Sequence, residues 1–443
     1  MKHMSKAETE LGLLPNGWAV ERLDALFSVQ QGKQVSKQNR LGDRQRPFLR
    51  TKNVFWGRLD LVELDEMHFT EAEERRLALQ VGDLLICEGG NIGRTAIWQN
   101  NIAQCYYQNH LHRARFRDAA KTDPNFVLYW LWYAFKIGSI YFGRGNVTTI
   151  PNLSQSKLCE LPILVPPLTE QRKIASVLGL VQQAMEQQKR LLTLTTELKK
   201  TLLNQLFTHG LRNEPQKQTE IGFVPESWEV TTLGQLACEP YGFIQTGPFG
   251  SQLHKHDYVD IGIGVINPTH LYENRINHAN VPKVTISTAT RLKRHLLEYG
   301  DILFARRGEI GRHGMVTEKE HGWLCGTGCF LVRVNHPDID NRFLSYLFSI
   351  PGIVAWLNSH AAGAIMPNLN NTVLRSLPVF YPTKEIQVEI ANALDIVSHK
   401  IEFHHRKYTA LTALFRTMLH ELMTAKIRVN KLSFDGYLEH AER

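Results

Sequence analysis

The chain is poor in what catalytic centres and membrane anchors are made of. Its six cysteines, at 87, 105, 159, 238, 325 and 329, form no C-x-x-C pair. Cys325 and Cys329 are four apart with no matching His/Cys pair, which argues against zinc, and the scatter suits a reducing cytosol. There is no G-x-x-x-x-G-K-[ST] loop, so ATP hydrolysis by this chain is not expected. Gly262-Ile263-Gly264 lacks the third glycine of a dinucleotide fingerprint, and H-E-x-x-H, H-x-E with P-C-x-x-C, and G-x-S-x-G are all missing. Asp123-Pro124-Asn125-Phe126 approaches the D-P-P-Y type of amino-group methyltransferases, but it lacks the second proline and a preceding glycine-rich loop. It reads as a helix start. The longest apolar run, Phe126 to Phe142, spans about 17 residues and is interrupted by Lys136 and Gly138. It is too short for a membrane span. The opening MKHMSKAETE has no apolar core of a secretory signal. A cytoplasmic protein without membrane, metal or catalytic constellation is expected.

What is present is a duplication. LGLLPNGWAVERLDALF (11–27) returns as IGFVPESWEVTTLGQLA (221–237). GDLLICEGGNIGR (82–94) returns as GDILFARRGEIGR (300–312), and PNLSQSKLCELPI (151–163) as PNLNNTVLRSLPV (367–379). A long unit used twice is no solenoid. It predicts two similar globular modules related by a pseudo-twofold, able to grip a long repetitive partner such as duplex DNA at two places. With 443 residues, 43% apolar and 21% charged, the chain fits two folded domains plus connectors. A net charge of +8 favours a polyanionic partner without specifying one.

Each copy has the same order: a Pro/Trp opening, short apolar runs broken by turn residues, an aromatic helix (126–142; 343–357), a P-N-L turn, a short strand and a proline-rich exit. A long helix then follows. In the second, Leu394, Val397, Ile401, His404, Tyr408, Leu411, Phe415, Met418 and Leu422 step by threes and fours, a heptad seam with one polar member. In the first, Ile174, Leu178, Val181, Met185, Gln188 and Leu192 do the same before the pattern drifts. Each helix is expected to be about 57 Å long, too long to bury its stripe in one small domain, so the two are expected to pair. Gln188 and His404 occupy matching layers and are expected to face each other and fix register. The expected fold class is α+β: two mixed target-recognition domains (1–165; 221–381) joined by an antiparallel coiled coil (166–212; 382–430), with a linker (213–220) and a tail (431–443).

Basic clusters carry the binding signal. Lys33, Lys37, Arg40, Arg44, Arg46, Arg50, Lys52 and Arg58 face one acid, Asp43, and are interleaved with Phe48, Phe55 and Trp56. In the second copy Arg291, Lys293, Arg294, Arg306, Arg307 and Arg312 accompany Glu298, Asp301 and Glu309. Each cluster adjoins a glycine-rich GxIGR turn that lets backbone approach a partner closely, which points to phosphate contact. At aligned loop positions, Glu88 and Asn91 stand where the second copy has Arg306 and Glu309. Arginine suits guanine, glutamate cytosine and asparagine adenine. The candidate DNA contacts are Lys33, Arg50, Lys52, Glu88, Asn91, Arg94, Thr246, Ser251, Arg306, Arg307, Glu309 and Arg312.

Taken in order, and done twice, these motifs resemble the specificity subunit of type I restriction–modification systems: P-x-x-W (Pro15 to Trp18; Pro225 to Trp228), Thr246-Gly247-Pro248-Phe249-Gly250-Ser251, G-D-[IL]-L with GxIGR, P-N-L, L-P-[IV] and the Glu170-Gln171 helix start. The first copy has VQQGKQVS (29–36) instead of the TGPFGS loop, and the second helix starts Glu385-Ile386-Gln387. The resemblance implies that each domain reads half of a split, asymmetric DNA site and that the coil sets the spacing. It implies a non-catalytic chain that holds two methyltransferase subunits and, where present, restriction/motor subunits. S-adenosylmethionine, ATP and magnesium would then act through those partners, with none bound by this chain. Half-sites about 34 Å apart are within reach of such a coil. The rival readings are a two-headed protein adaptor without specific DNA readout, and a self-sufficient methyltransferase or nuclease, against which the missing cofactor motifs already argue.

Overall fold

A computed structural model describes residues 7–9, 12–138, 140–141, 153–361 and 368–429. Pro151, Asn152 and Pro367 of the P-N-L turns, Phe142 of the first aromatic segment and the expected tail (431–443) lie outside the described residues. The chain divides into two compact units, Met1–Lys189 with Arg406–Arg443, and Arg190–His405. The fold is α+β, and the units repeat one plan.

In the first unit, antiparallel strands run in the order Thr95–Ile97, Leu84–Cys87, Leu111–Phe116, Phe27–Gln31. In the second, the same sheet is Gly242–Thr246, Cys329–Val334, Ile302–Ala305, His313–Met315. One inner strand of each sheet, LLIC (84–87) and ILFA (302–305), is an apolar run buried throughout. The strand after each Pro/Trp opening pairs with the one after each P-N-L turn: Ala19–Arg22 with Pro162–Val165, and Glu229–Thr232 with Pro378–Tyr381.

Asp123 accepts hydrogen bonds from the Asn125 and Phe126 amides and starts the helix Pro124–Lys136, so the D-P-N-F segment is a capped helix start. Asp340 does the same for Asn341–Leu347. The second aromatic segment is not one helix as expected. Pro351 cannot continue the backbone ladder and forces Ile350 into extended geometry, so a new helix, Pro351–His360, begins there.

The long helices are Leu168–His209 and Lys384–Met423. The boundary between the units falls inside both. The first unit's core combines Ile174, Ala175 and Leu178 with Phe415, Leu419, Leu422 and Met423. The second unit's core combines Leu203, Leu206 and Phe207 with Ile390, Ala391 and Leu394. In the first unit, Glu170 at the start of one helix holds Arg428 just past the end of the other (2.6 and 2.7 Å), so the segments there run in opposite directions. All nine seam residues of the second helix, Leu394 to Leu422, are buried or half-buried. The first helix's seam does not drift after Leu192. It continues through Thr195, Lys199, Leu202 and Leu206, polar members having hidden the period. Gln188 is buried and His404 half-buried on their stripes. The expected linker also contains structure: Gln216–Thr219 pairs with Gly222–Pro225 as a hairpin.

A buried glutamine starts each long helix. Gln171 Oε1 accepts from the Asp123 amide (2.9 Å), and its Nε2 donates to the Lys121 and Pro166 carbonyls (2.9 and 2.8 Å). Gln387 repeats this with Asp340 (2.9 Å), Asp338 (2.8 Å) and Pro382 (2.9 Å). Each amide is satisfied on both sides and ties the helix start to the aspartate cap. The neighbouring position differs. Glu170 accepts from the Trp18 indole (3.1 Å) as well as from Arg428, whereas Ile386 replaces the carboxylate and the buried Trp228 indole nitrogen has no partner among the described residues.

The seating of the sheet domain on its helix segments also differs between units. In the first it is aromatic: Trp132 stacks on Trp56 (5.2 Å) and meets Phe415 (4.8 Å), and Tyr129 donates to Gln182 (2.9 Å). In the second it is ionic: Arg275 meets Glu402 (3.0 Å), Arg342 meets Asp395 (3.2 Å), and Tyr346 donates to Asp395 (2.7 Å). These groups line a cleft of about 590 Å³.

Candidate nucleic-acid interface

Antiparallel pairing brings the loops of interest to one edge of each sheet. In the second unit this edge comprises the end of Gly242–Thr246, the start of Cys329–Val334, the end of Ile302–Ala305 and the start of His313–Met315. Thr246, Ser251, Arg306, Arg307, Glu309 and Arg312 therefore converge from two distant stretches. The Gly247 amide donates to Cys329 O (2.8 Å), and a Cβ on Gly247 would lie 1.9 Å from Gly326 O. Only glycine lets the TGPFGS loop lie so close to residues 326–328. The Arg306 amide donates to Gly328 O (2.9 Å), and its carbonyl accepts from the Leu369 amide (2.9 Å). The P-N-L leucine thus pins the arginine turn. Ser251, Arg307 and Glu309 are exposed, and Thr246 and Arg306 are half-buried. Among the described residues, the Arg306 and Arg307 guanidinium groups have no hydrogen-bonded or ion-paired partner.

The first unit's edge is built alike and carries different chemistry. The Leu153 amide donates to Glu88 O (3.0 Å), the counterpart of the Leu369–Arg306 bond. Glu88 is buried, accepts from Gln31 Nε2 (3.3 Å) and lies 3.5 Å from His110 Nδ1. Asn91 is exposed at the tip. Gln31 and His110 are site residues that sequence reasoning misses: an isolated glutamine and histidine give no signal until the strands place them beside Glu88.

The GxIGR turns are alike in construction. Gly90, Gly93, Gly308 and Gly311 adopt φ between 71 and 89°, and Ile92 and Ile310 plug the cores. Their arginines, named above as candidate DNA contacts, touch the protein itself. Arg94 donates to Thr51 O (2.6 Å) and sits over Phe55 (5.0 Å), while Arg312 turns toward Glu309 (3.7 Å).

The first unit's basic run is largely neutralised by acids 13 to 40 residues downstream, contrary to the sequence reading. The strand Asp65–His68 pairs with Gln45–Leu49, and the helix Glu71–Leu77 follows it. Lys33 pairs with Glu73 (2.6 Å) and donates to His68 O (2.8 Å), with a side chain only 9% exposed. This withdraws it from phosphate contact. Arg44 meets Glu71 and Glu74 (both 2.9 Å), and Arg46 shares Glu74 (2.9 Å). Arg50 (2.7 Å) and Lys52 (3.2 Å) share Asp65, whose carboxyl they hold below its usual range, Arg50 foremost, against the opposing effect of burial. Arg50 is half-buried and Lys52 exposed, so one carboxylate serves two cations. Lys37, Arg40 and Arg58 are exposed.

Among the described residues no cluster of His, Cys, Asp and Glu has metal-binding geometry, and no helix is long and apolar enough to cross a membrane. One α+β unit used twice, with equivalent loop clusters of unlike chemistry, defines a class of duplicated two-domain protein. The chain belongs to the family of the type I restriction modification DNA specificity domain, whose model matches residues 15–205 and 225–413. It is 26% identical over 431 residues to a putative type I restriction enzyme MjaX specificity subunit of Methanocaldococcus jannaschii, covering 95% of this chain and 96% of that one. It is 25% identical over 263 residues to the type I restriction enzyme EcoBI specificity subunit of Escherichia coli, covering 56% and 53%. The solved type I restriction-modification S subunit from M. genitalium has the same fold, with TM-score 0.61, 16% identity, and coverage of 91% and 96%.

Proposed function

We propose that this specificity subunit reads a bipartite, asymmetric DNA sequence, one half per unit, through the loops at the two equivalent sheet edges. The observation that carries this is the pairing of the edges: identical backbone bonds from Leu153 and Leu369 hold a carboxylate turn in one and an arginine turn in the other. The same scaffold with unlike donors and acceptors suits unlike base sequences. Arg306 and Arg307, with unengaged guanidinium groups, favour guanine in the second half-site. Thr246, Ser251 and Glu309 surround them. In the first, Glu88 and Asn91 lie at the edge, with Arg50 and Lys52 as phosphate contacts.

The long helices set the half-site spacing, with Gln188 and His404 as a register-fixing polar layer. The chain performs no chemistry itself. It recruits two methyltransferase subunits and, where present, restriction/motor subunits, which supply the S-adenosylmethionine, ATP and magnesium chemistry. Two-copy recruitment is supported by apolar side chains left exposed at equivalent helix positions: Leu180 and Leu414 in the first unit, Ile396 and Leu198 in the second.

Methylome sequencing of a host with and without the gene tests this reading. A bipartite adenine-methylation motif that disappears on deletion is expected. An unchanged methylome, together with no sequence preference in duplex binding by the chain, overturns it.

A further inference from the structure

We infer that His110, positioned by Glu88, is the base-reading side chain of the first unit and that it selects a base bearing an exocyclic amino group, adenine or cytosine. This rests on the DNA-reading proposal above and assigns its chemistry in one half-site.

Three corresponding edge positions are Gln31, Glu88 and His110 in the first unit, and Thr246, Arg306 and Gly328 in the second. The registers fix this correspondence: Gln31 pairs with His112 where Thr246 pairs with Phe330, and Glu88 N bonds His110 O where Arg306 N bonds Gly328 O. In the second unit the projecting group is a guanidinium, with only glycine opposite it. In the first, the side chain at that position is a carboxylate, which the phosphate field repels. That carboxylate is covered: its residue is buried, and it is held by the Gln31 amide at 3.3 Å, itself fixed by donation to Asn109 O at 2.9 Å. The exposed member is the imidazole, 58% accessible, with Nδ1 3.5 Å from the carboxylate. An anion beside Nδ1 favours the tautomer with its proton there. Nε2 is then left as an acceptor. In the major groove, only adenine N6 and cytosine N4 present donors to such an acceptor. The two units therefore apply opposite polarity at one structural position, acceptor in the first and donor in the second.

The test selects bound sequences from randomised duplexes with the full chain, co-expressed with its methyltransferase partner, comparing wild type, His110→Ala and Glu88→Gln. Wild type is expected to require adenine or cytosine at one position of one half-site, and the selected base tells which amine is read. His110→Ala should lower that preference about tenfold and leave the other half-site untouched. Glu88→Gln keeps the shape but frees the tautomer, so the same position should begin to admit guanine or thymine. A merely structural role would instead weaken every sequence alike. If wild type selects a bipartite site and neither variant changes any single position, the His110 assignment is wrong while the DNA-reading proposal stands. If wild type selects no sequence, that proposal fails first.

Discussion

Lys199 holds its ammonium 5.6 Å from the centre of the Tyr346 ring, the place that Phe415 takes beside Tyr129 (6.1 Å) in the other unit. A cation has replaced a phenyl ring in an otherwise repeated seam. Burial pushes the Lys199 ammonium below its ordinary 10.5, and neighbouring Arg275 adds to this, while Glu273 and Asp395 partly offset it. A lysine with a depressed folded-state pKa carries its full cost below that pKa. As pH rises toward 10.5, the folded state loses the proton before the unfolded state does, and stability increases. Lys199→Met should therefore stabilise the second unit by on the order of 1 kcal/mol at neutral pH, and the gain should shrink as pH climbs. Urea midpoints of both chains across that range provide the check. A gain that is constant with pH would count against a charge origin.

The repeated glutamine clamp should be worth more than any surface contact. Gln171→Ala or Gln387→Ala strands one amide and two carbonyls in buried surroundings and should cost about 2–4 kcal/mol. Glu170→Gln should cost less in the first unit, since Trp18 keeps an acceptor and only the charge toward Arg428 is removed. Denaturant unfolding of the three variants gives the ranking.

Arg306→Ala and Arg307→Ala separate base reading from phosphate binding. Deleting an arginine that reads guanine should relax preference at one position by about 1–3 kcal/mol, whereas deleting one that binds phosphate should weaken all duplexes and lower the salt slope by about 1. At least one of the two should behave in the first way. Competition binding over a salt series distinguishes the cases.

Lys33 and Lys52 should part company. Lys33→Met leaves Glu73 unpaired in half-buried surroundings, so it should cost about 1–3 kcal/mol of stability with no change in the salt slope. Lys52→Met should leave stability within about 0.5 kcal/mol and lower the slope. Paired melting and binding measurements decide this.

Replacing Gln188 and His404 together by leucine should raise the melting temperature and loosen the spacing rule, so that duplexes with altered spacers are accepted. An unchanged spacer preference in the double variant would remove the register role.

The duplication is legible because opening, turn and closing motifs recur in order, and the helices because their apolar steps repeat over many turns. The charge map is not. Lys33, Arg44 and Arg46 look unopposed within their own stretch, and only the pairing of Gln45–Leu49 with Asp65–His68 brings Glu73 and Glu74 onto them. Local sequence counts neighbours along the chain, whereas Coulomb's law counts neighbours in space. The same limit hides the seam beyond Leu192, where Thr195 and Lys199 occupy inward positions, and gives His110 no signal at all. The GxIGR arginines mislead for another reason: a glycine-rich turn frees the backbone but does not say which way the next side chain swings.

The sharing of helices between cores has a consequence for biogenesis. The first unit needs Phe415, Leu419, Leu422 and Met423 to close its interior, and these leave the ribosome only after the whole second unit has been made. The part translated first is thus completed last, and its unfinished apolar face must wait through the synthesis of some two hundred further residues. A chain truncated after residue 405 and released from the ribosome should hold a protease-resistant second unit and a first one that is still readily cut.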